Sequence, residues 1–213
     1  MKDWPTANYD NAHDEKYGTP FKVPLVKATP ESLKEYGIIC TDFENEKIEI
    51  TPWPTTGWRK LYPGTGSMGG TLSGEFTFYW KGDTCRTTNK AAGWDFTTGR
   101  VPKGGDAKNP RSVLVREASY HPDGGQLFFP KDGKNFVLML ALPGDDVKPE
   151  NFVAFYFDGS FGVQIHANIW HQPVCSVGEG AQLLTKQGAV HACVTIDFVE
   201  ELGKFVEVPL VFE

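Results

Sequence analysis

Short runs of β-forming residues, cut at close intervals by turn residues, constrain this chain more than any other feature of its sequence. Residues 21–27, 38–40, 47–50, 75–80, 112–118, 136–142, 153–157, 162–166, 190–197 and 205–212 each alternate apolar and polar positions or run continuously apolar. That makes about ten strands, separated by segments rich in glycine and proline, which is the pattern of an all-β sandwich or barrel. With 23 Gly and 15 Pro in 213 residues, turns outnumber what long helices would tolerate. Residues 136–142 are apolar throughout and predict a strand covered on both faces.

One short helix is expected at 29–36. Thr29 can cap it, Pro30 fits its first turn, Leu33 and Tyr36 supply the apolar face, and Gly37 closes it. Residues 51–74 read as irregular. Their Gly-Thr-Gly-Ser-Met-Gly-Gly run lacks the Gly-Lys-Ser/Thr ending and strand–helix setting of a phosphate loop, so it predicts a flexible loop. Residues 84–110 carry little apolar periodicity and predict a long lid or an excursion between strands. The organisation expected is an N-terminal arm over 1–20 and a single barrel domain over 21–213, with a divergent insert around 51–110. Trp4, Tyr9 and Tyr17 are unusual in a free tail and predict that the arm docks onto the body or a neighbouring subunit.

A net charge of −6 without a basic run gives no means of neutralising phosphates, so no nucleic-acid partner is expected. No apolar run reaches the ~18 residues of a membrane span. The first twenty residues lack the apolar core of a signal peptide, so a soluble, cytoplasmic protein is expected. Cys40, Cys85, Cys175 and Cys193 are dispersed, which points neither to structural zinc nor to a disulfide framework.

Three of the five histidines, His121, His166 and His171, fall between residues 120 and 173, near the ends of neighbouring strand-like runs. Such positions can converge at one mouth of a sheet. Imidazoles with a side-chain amide, Gln126, suit proton transfer, a divalent metal or an anion pocket. A histidine beside a proline is equally common in a plain surface turn, so spacing alone leaves both readings open. His13 falls in the arm, and His191 begins a strand and can face either way. Glu117 has the parity of His121 along its strand and can share its face. Among Arg59, Arg86, Arg100 and Arg116, the last stands beside this stretch and is the arginine best placed to bind a carboxylate.

The same stretch resembles a known family. His121-Pro122-x-Gly124-x-Gln126-x-Phe128-x-Pro130 is similar to the His-Pro-Leu-Gly-x-Gln-x-Phe-x-Pro motif of ureidoglycolate lyases. Gly162-Val163-x-x-His166-x-x-x-Trp170-His171-x-Pro173 resembles that family's Gly-Val-x-Tyr-His-x-x-x-Trp-His-His-Pro signature. Ala141-Leu142, Gly144-Asp145-Asp146, Pro149 and Thr195-Ile196-Asp197 look like its intervening and following segments. So does the strand–helix holding Leu25, Glu35, Tyr36 and Gly37. Four positions depart from the pattern: Ser119, Ile165, Gln172 and Ala192 stand where the family commonly has Glu, Tyr, His and Asp.

The resemblance implies a mainly β, cupin-type (double-stranded β-helix or jelly-roll) barrel with one or a few short helices, commonly a homodimer. It implies cleavage of ureidoglycolate to glyoxylate and urea. Under it His121, His166, His171 and Gln126 are the catalytic candidates, and Arg116, Glu117, Tyr120 and Trp170 the substrate-binding ones. A divalent metal ion, if one takes part, would be held among His121, Gln126, His166 and His171. The alternatives are a cupin isomerase or hydrolase acting on another small carboxylate, and a non-catalytic barrel that only binds one.

Overall fold

The structure, a computed structural model, describes residues 8–51, 57–65, 68–89, 94–172, 174–190 and 192–213. Trp4, Gly66 and Ser67 of the glycine run, Pro173 at the loop exit and His191 lie outside these residues, as does the whole Pro-Trp-Pro stretch.

In chain order the strands begin with β1 (Phe21–Lys22), β2 (Leu25–Lys27) and β3 (Gly37–Cys40). A long hairpin layer follows: β4 (Met68–Lys81), β5 (Thr84–Asn89) and β6 (Trp94–Arg100). Next come β7 (Ser112–Val115), β8 (Glu117–Tyr120), β9 (Gln126–Pro130), β10 (Phe136–Ala141), β11 (Val153–Phe157) and β12 (Gly162–Ile165). The last are β13 (Trp170–His171), β14 (Cys175–Ser176), β15 (Gly180–Val190), β16 (Val194–Asp197) and β17 (Val206–Pro209). They form two sheets. The larger has the order β1-β17-β7-β6-β5-β4-β15-β9-β12-β3; the smaller has the order β16-β8-β13-β10-β11-β2, with β14 added against β10.

The larger sheet wraps the smaller one on both sides. Val137, Met139, Ala154 and Trp170 on one face of the smaller sheet pack with Val113, Val115, Val206 and Val208 of β7 and β17. Phe136, Leu138, Leu140, Phe155 and Phe157 on the opposite face pack with Phe76, Phe78, Phe128, Val163 and Leu183 of β4, β9, β12 and β15. This is why β10 is apolar at every position: all six of its residues are buried. Each fully buried phenylalanine adds roughly 1.5–3 kcal/mol to such a core.

Arg116 marks the corner where the chain leaves the larger sheet as β7 and enters the smaller as β8. The arm docks as expected over its described part. Tyr9 is buried with Leu114, Val199 and Phe205, and Tyr17 meets Phe205 edge-on at 5.4 Å.

Four expectations need correction. Residues 84–110 are not chiefly a lid, because β5 and β6 occupy much of the segment; Cys85, Thr87 and Asn89 alternate inward while Thr84, Arg86 and Thr88 face out. The glycine run does not stay a loop, since β4 starts at Met68. Residues 47–50 form no strand, only an isolated bridge from Ile50 to Gly124. Gly37 does not close the first helix, α1 (Pro30–Leu33), which Thr29 caps through Ser32 N. Instead Gly37 opens β3, where a side chain would collide with the carbonyl of Gln164. A second helix, α2 (Phe198–Leu202), was not expected. Asp197 caps it by accepting from Val199 N and Glu200 N, both at 2.9 Å, and Gly203 ends it at φ 70°.

Candidate functional site

The turn from His121 to Gly125 carries the chain from β8 in the smaller sheet to β9 in the larger, so its ends face each other across the interior. Residues 49–51 strap it from outside: Gly125 N donates to Glu49 O and Thr51 N to Asp123 O, both at 2.9 Å. A Cβ on Gly125 would come within 2.5 Å of the Ile165 carbonyl oxygen, so only glycine allows β12 this close. After β12, Asn168 turns the chain at φ 67° and its N–H donates to His121 O at 3.0 Å. Asparagine tolerates that left-handed conformation. The two histidine-bearing segments are thereby tied through the backbone.

His171 of β13 stands opposite Leu140 on one side and Ser119 on the other, and Ser119 stands opposite Thr195. Directly paired residues share a face, so Leu140, His171, Ser119 and Thr195 form one row on the smaller sheet. The Ser119 and Thr195 hydroxyls lie 3.0 Å apart. His121 follows at the end of β8 with the same parity, and its ring centroid is 4.9 Å from that of His171. Phe128 of β9 closes on His171 from the larger sheet at 6.0 Å. Gln126, at the head of β9, donates through Nε2 to Gln187 Oε1 of β15 at 3.0 Å. Gln126 Oε1 and the hydroxyls of Thr87 and Thr185 are buried with no hydrogen-bond partner among the described residues. Polar groups that still have hydrogen bonds to make are thus buried on the inward face of the larger sheet.

The protonation of the pair follows from its backbone contacts. His121 Nδ1 lies 2.9 Å from Ala192 O, and His171 Nδ1 lies 3.0 Å from Ile169 O. A carbonyl only accepts, so both Nδ1 atoms carry the proton, and in a neutral ring Nε2 is the basic nitrogen. Burial pushes His121 down to about 4, with the Ala192 carbonyl and Gln126 acting in the opposite direction. Burial and the neighbouring His121 push His171 down to about 3. Both rings are neutral at neutral pH.

His166 does not join this pair. Its side chain is 39% exposed, and its Nδ1 lies 3.5 Å from Glu49 Oε2 at the rim. The buried donors are therefore two imidazoles and one amide. Among the described residues no group of three His, Cys, Asp or Glu side chains could hold a metal ion. Two imidazoles fall short of the three His, Cys or carboxylate ligands that a catalytic divalent site ordinarily has, and a neutral amide is a weak third donor.

The substrate-binding candidates also separate. Tyr120 and Trp170 each precede a site histidine in a strand, and successive side chains point to opposite faces. They meet edge-on at 4.7 Å on the far side of the sheet. There Tyr120 donates to Asp145 Oδ1 at 2.9 Å and Trp170 Nε1 to Gly144 O at 2.8 Å. They brace the histidines from behind. Arg116 is taken up by Asp197, Glu200 and the Asn8 carbonyl, at 2.8, 3.2 and 3.0 Å, and is not directed at the pair. Glu117 keeps the parity of Ser119 and His121. Burial first, and then Asp197, push its carboxyl up to about 7, against the pull of Arg116.

Two further positions, Gln187 and Thr65, were not singled out from the sequence, and Arg59, named there only as a candidate for binding a carboxylate, has a different place. Gln187 completes the amide pair, and its signal lay in the alternation Ala181, Leu183, Thr185, Gln187, every one of them buried. Arg59 holds the segment 57–65 against the body. It grips Glu201 through both Nη atoms at 2.9 and 2.8 Å, donates from Nε to Asp145 O at 2.6 Å, and lies over the Trp170 ring. Thr65, on the segment that Arg59 holds, accepts from Cys193 N at 3.1 Å beside the row of hydroxyls.

Two wrapped antiparallel-rich sheets make this a mainly β protein of the cupin type. Residues 104–201 match the family model described as ureidoglycolate lyase. Over that span, just under half of the chain, the sequence is similar to that family. It is similar to the ureidoglycolate lyase of Azotobacter vinelandii, at 33% identity over 86 residues, 39% of this chain and 52% of the relative. To that of Salmonella enteritidis PT4 it is 45% identical over 64 residues, 29% of this chain and 39% of the relative. The chain thus spans about half, or less, of the length of these curated relatives. Among the described residues no helix is long and apolar enough to cross a membrane.

Proposed function

We propose that this protein is a ureidoglycolate lyase-like enzyme that breaks the carbon–nitrogen bond of a small carbinolamine acid, ureidoglycolate, to give glyoxylate and urea. The observation that carries this reading is the buried pair of neutral imidazoles, His121 and His171, both with Nδ1 committed to a carbonyl. The reaction moves one proton from the carbinol hydroxyl to the departing urea nitrogen. An Nε2 atom of the pair takes the hydroxyl proton, the oxygen's electrons form the new carbonyl, and the carbon–nitrogen bond breaks. The imidazolium then returns that proton to urea. Because both rings start neutral, no separate acid is needed, and the proton ledger closes within the pair. Gln126 favours the protonated state of His121, which suits the moment when the ring holds the proton. Gln126 and the hydroxyls of Ser119 and Thr185 hold the substrate's polar groups. His166 serves at the rim.

The departures from the family pattern weigh unequally on this reading. Ala192 offers His121 only its backbone carbonyl, which a change of side chain leaves in place. Gln172 faces the other side of the sheet and donates to Thr98 O at 2.9 Å. Ser119 alone replaces an acidic group within the row that contains His171, so the pocket is less negative than the family pattern provides.

Incubation with racemic ureidoglycolate and detection of glyoxylate tests the reading. Turnover that drops by at least a hundredfold in both His121→Ala and His171→Ala supports it. Folded protein with no turnover sinks it and favours a barrel that only binds a small carboxylate. The homodimer implied by the resemblance belongs to the same reading and is checked by sedimentation.

A further inference from the structure

Away from the histidines, a cleft of about 620 Å³ opens between the docked arm and β4–β6. Arg86 lines it on the outward face of β5, opposite Tyr79 of β4 and Thr97 of β6. Lys81 and Arg100 are its other cations, and Asp10 and Asp83 its carboxylates. Asp83 is already spent: Oδ2 accepts from Arg100 Nε at 2.7 Å and Oδ1 from the Thr84 hydroxyl at 3.1 Å. Arg100 in turn gives Nη1 to the carbonyls of Tyr9 and Asp10 at 3.0 and 3.2 Å. Lys81 and Arg86 form no ion pair with any described carboxylate.

Arg86 is the anomaly. Arg59, Arg100 and Arg116 each sit against a carboxylate at 2.7–2.8 Å. Arg86 is half-buried without one, and its Nε is buried with no acceptor. A guanidinium drawn partly out of water calls for a compensating anion. The local excess of positive charge arises in a chain whose net charge is −6, so it does not follow from overall composition.

We propose that this cleft binds a small oxyanion, a carboxylate or a phosphate, held by the Arg86 guanidinium and the Lys81 ammonium. A guanidinium offers such oxygens a planar fork, and a lysine adds a point charge beside it. The cleft draws on the arm and β4–β6, outside the family-matched segment, and shares no residue with the histidine pocket. Its failure would therefore leave the lyase reading untouched.

Calorimetric titration of the full chain at low ionic strength, with inorganic phosphate and separately with succinate, tests it. Saturable binding of at least one ion is expected, and the ion that binds identifies the ligand class. Arg86→Gln should weaken it at least tenfold and Lys81→Gln severalfold, with circular dichroism unchanged. No saturable binding of either ion, or equal binding by folded R86Q, overturns the proposal. If R86Q does not fold, K81Q decides, and unchanged affinity in that variant overturns it.

Discussion

Replacing His171 by glutamine should blunt the protein's loss of stability in acid. The folded ring titrates at about 3, whereas a histidine in the unfolded chain titrates near 6.5. Between those values the unfolded chain binds a proton that the folded one refuses, so stability falls as pH is lowered from 6.5. By pH 4.5 two pH units of that window are used, worth about 2.7 kcal/mol at ~1.36 kcal/mol per unit. His121, at about 4, adds a similar amount, making the pair's share about 5 kcal/mol. Glu117 works the other way. Its folded carboxyl titrates at about 7 against an ordinary 4.5, so it binds its proton first in the folded state and gains stability as pH falls through that range. It offsets roughly 2 kcal/mol between pH 6.5 and 4.5, leaving a net loss of about 3 kcal/mol from the three groups. Urea unfolding at the two pH values, with and without His171→Gln, isolates the His171 share, because what is compared is the pH-dependent difference and not absolute stability. The variant should lose about 2–3 kcal/mol less than the parent on acidification. Nitrogen-15 spectra of the imidazoles should show an unprotonated Nε2 down to at least pH 5. Equal losses in both proteins, or a His171 ring titrating near 6.5, would refute the buried neutral pair.

The rate of ureidoglycolate turnover should stay level from about pH 8 down to about pH 5, because the base is already unprotonated there; an acid limb centred near 6.5 would point to a solvated histidine. Glu117→Gln should raise stability at pH 8 by about 2–3 kcal/mol, read as a higher melting temperature, since it removes a carboxylate that burial holds up at about 7. Arg59→Met should cost about 2–3 kcal/mol and speed chymotryptic cleavage after Leu61, because the bidentate grip on Glu201 and the bond to Asp145 O hold residues 57–65 in place. Gly125→Ala should lower kcat more than it lowers helix or sheet content in circular dichroism, since its Cβ would press on the Ile165 carbonyl and shift Gln126.

The parts of this fold legible in the sequence are those where burial is apolar. The unbroken apolar runs of β10 and β11 announced themselves because water is excluded from both faces of the smaller sheet. β5 and β15 escaped notice because their inward positions include Thr87, Asn89, Thr185 and Gln187, which read as surface on hydropathy alone. Those polar residues lie on the inward face of the larger sheet, where Gln126 meets Gln187, so the feature that hid the strands also points toward the candidate site. That His121 and His171 could converge was legible from their places near strand ends, though spacing alone left a surface role equally open. What spacing could not supply was the side of the sheet. Tyr120 and Trp170 lie one residue from the histidines and on the opposite face, and Arg116 faces Asp197 because β8 begins just after the corner it occupies.

The division between chemistry and enclosure follows the chain itself. His121, Gln126, His171 and Gln187 all fall within 104–201, the segment that matches the family. The groups that close around them largely do not. Glu49 straps the Gly125 turn and meets His166, Arg59 holds 57–65 beside the row of hydroxyls, and Thr65 takes the Cys193 amide. β4, from the same unmatched part of the chain, adds Phe76 and Phe78 to the wall that packs with Phe128. In the proposed reaction, proton transfer depends on where two imidazoles stand and on what their Nδ1 atoms touch, and those contacts, to Ala192 O and Ile169 O, are internal to the matched segment. Selection among substrates depends on the walls and on access. Substitutions in 44–65 should therefore change KM and the ranking of alternative carbinolamine acids more than kcat, whereas substitutions at the pair should abolish kcat for all of them. A Glu49→Gln variant whose kcat falls as far as that of His171→Ala, at unchanged KM, would show that this boundary is drawn in the wrong place.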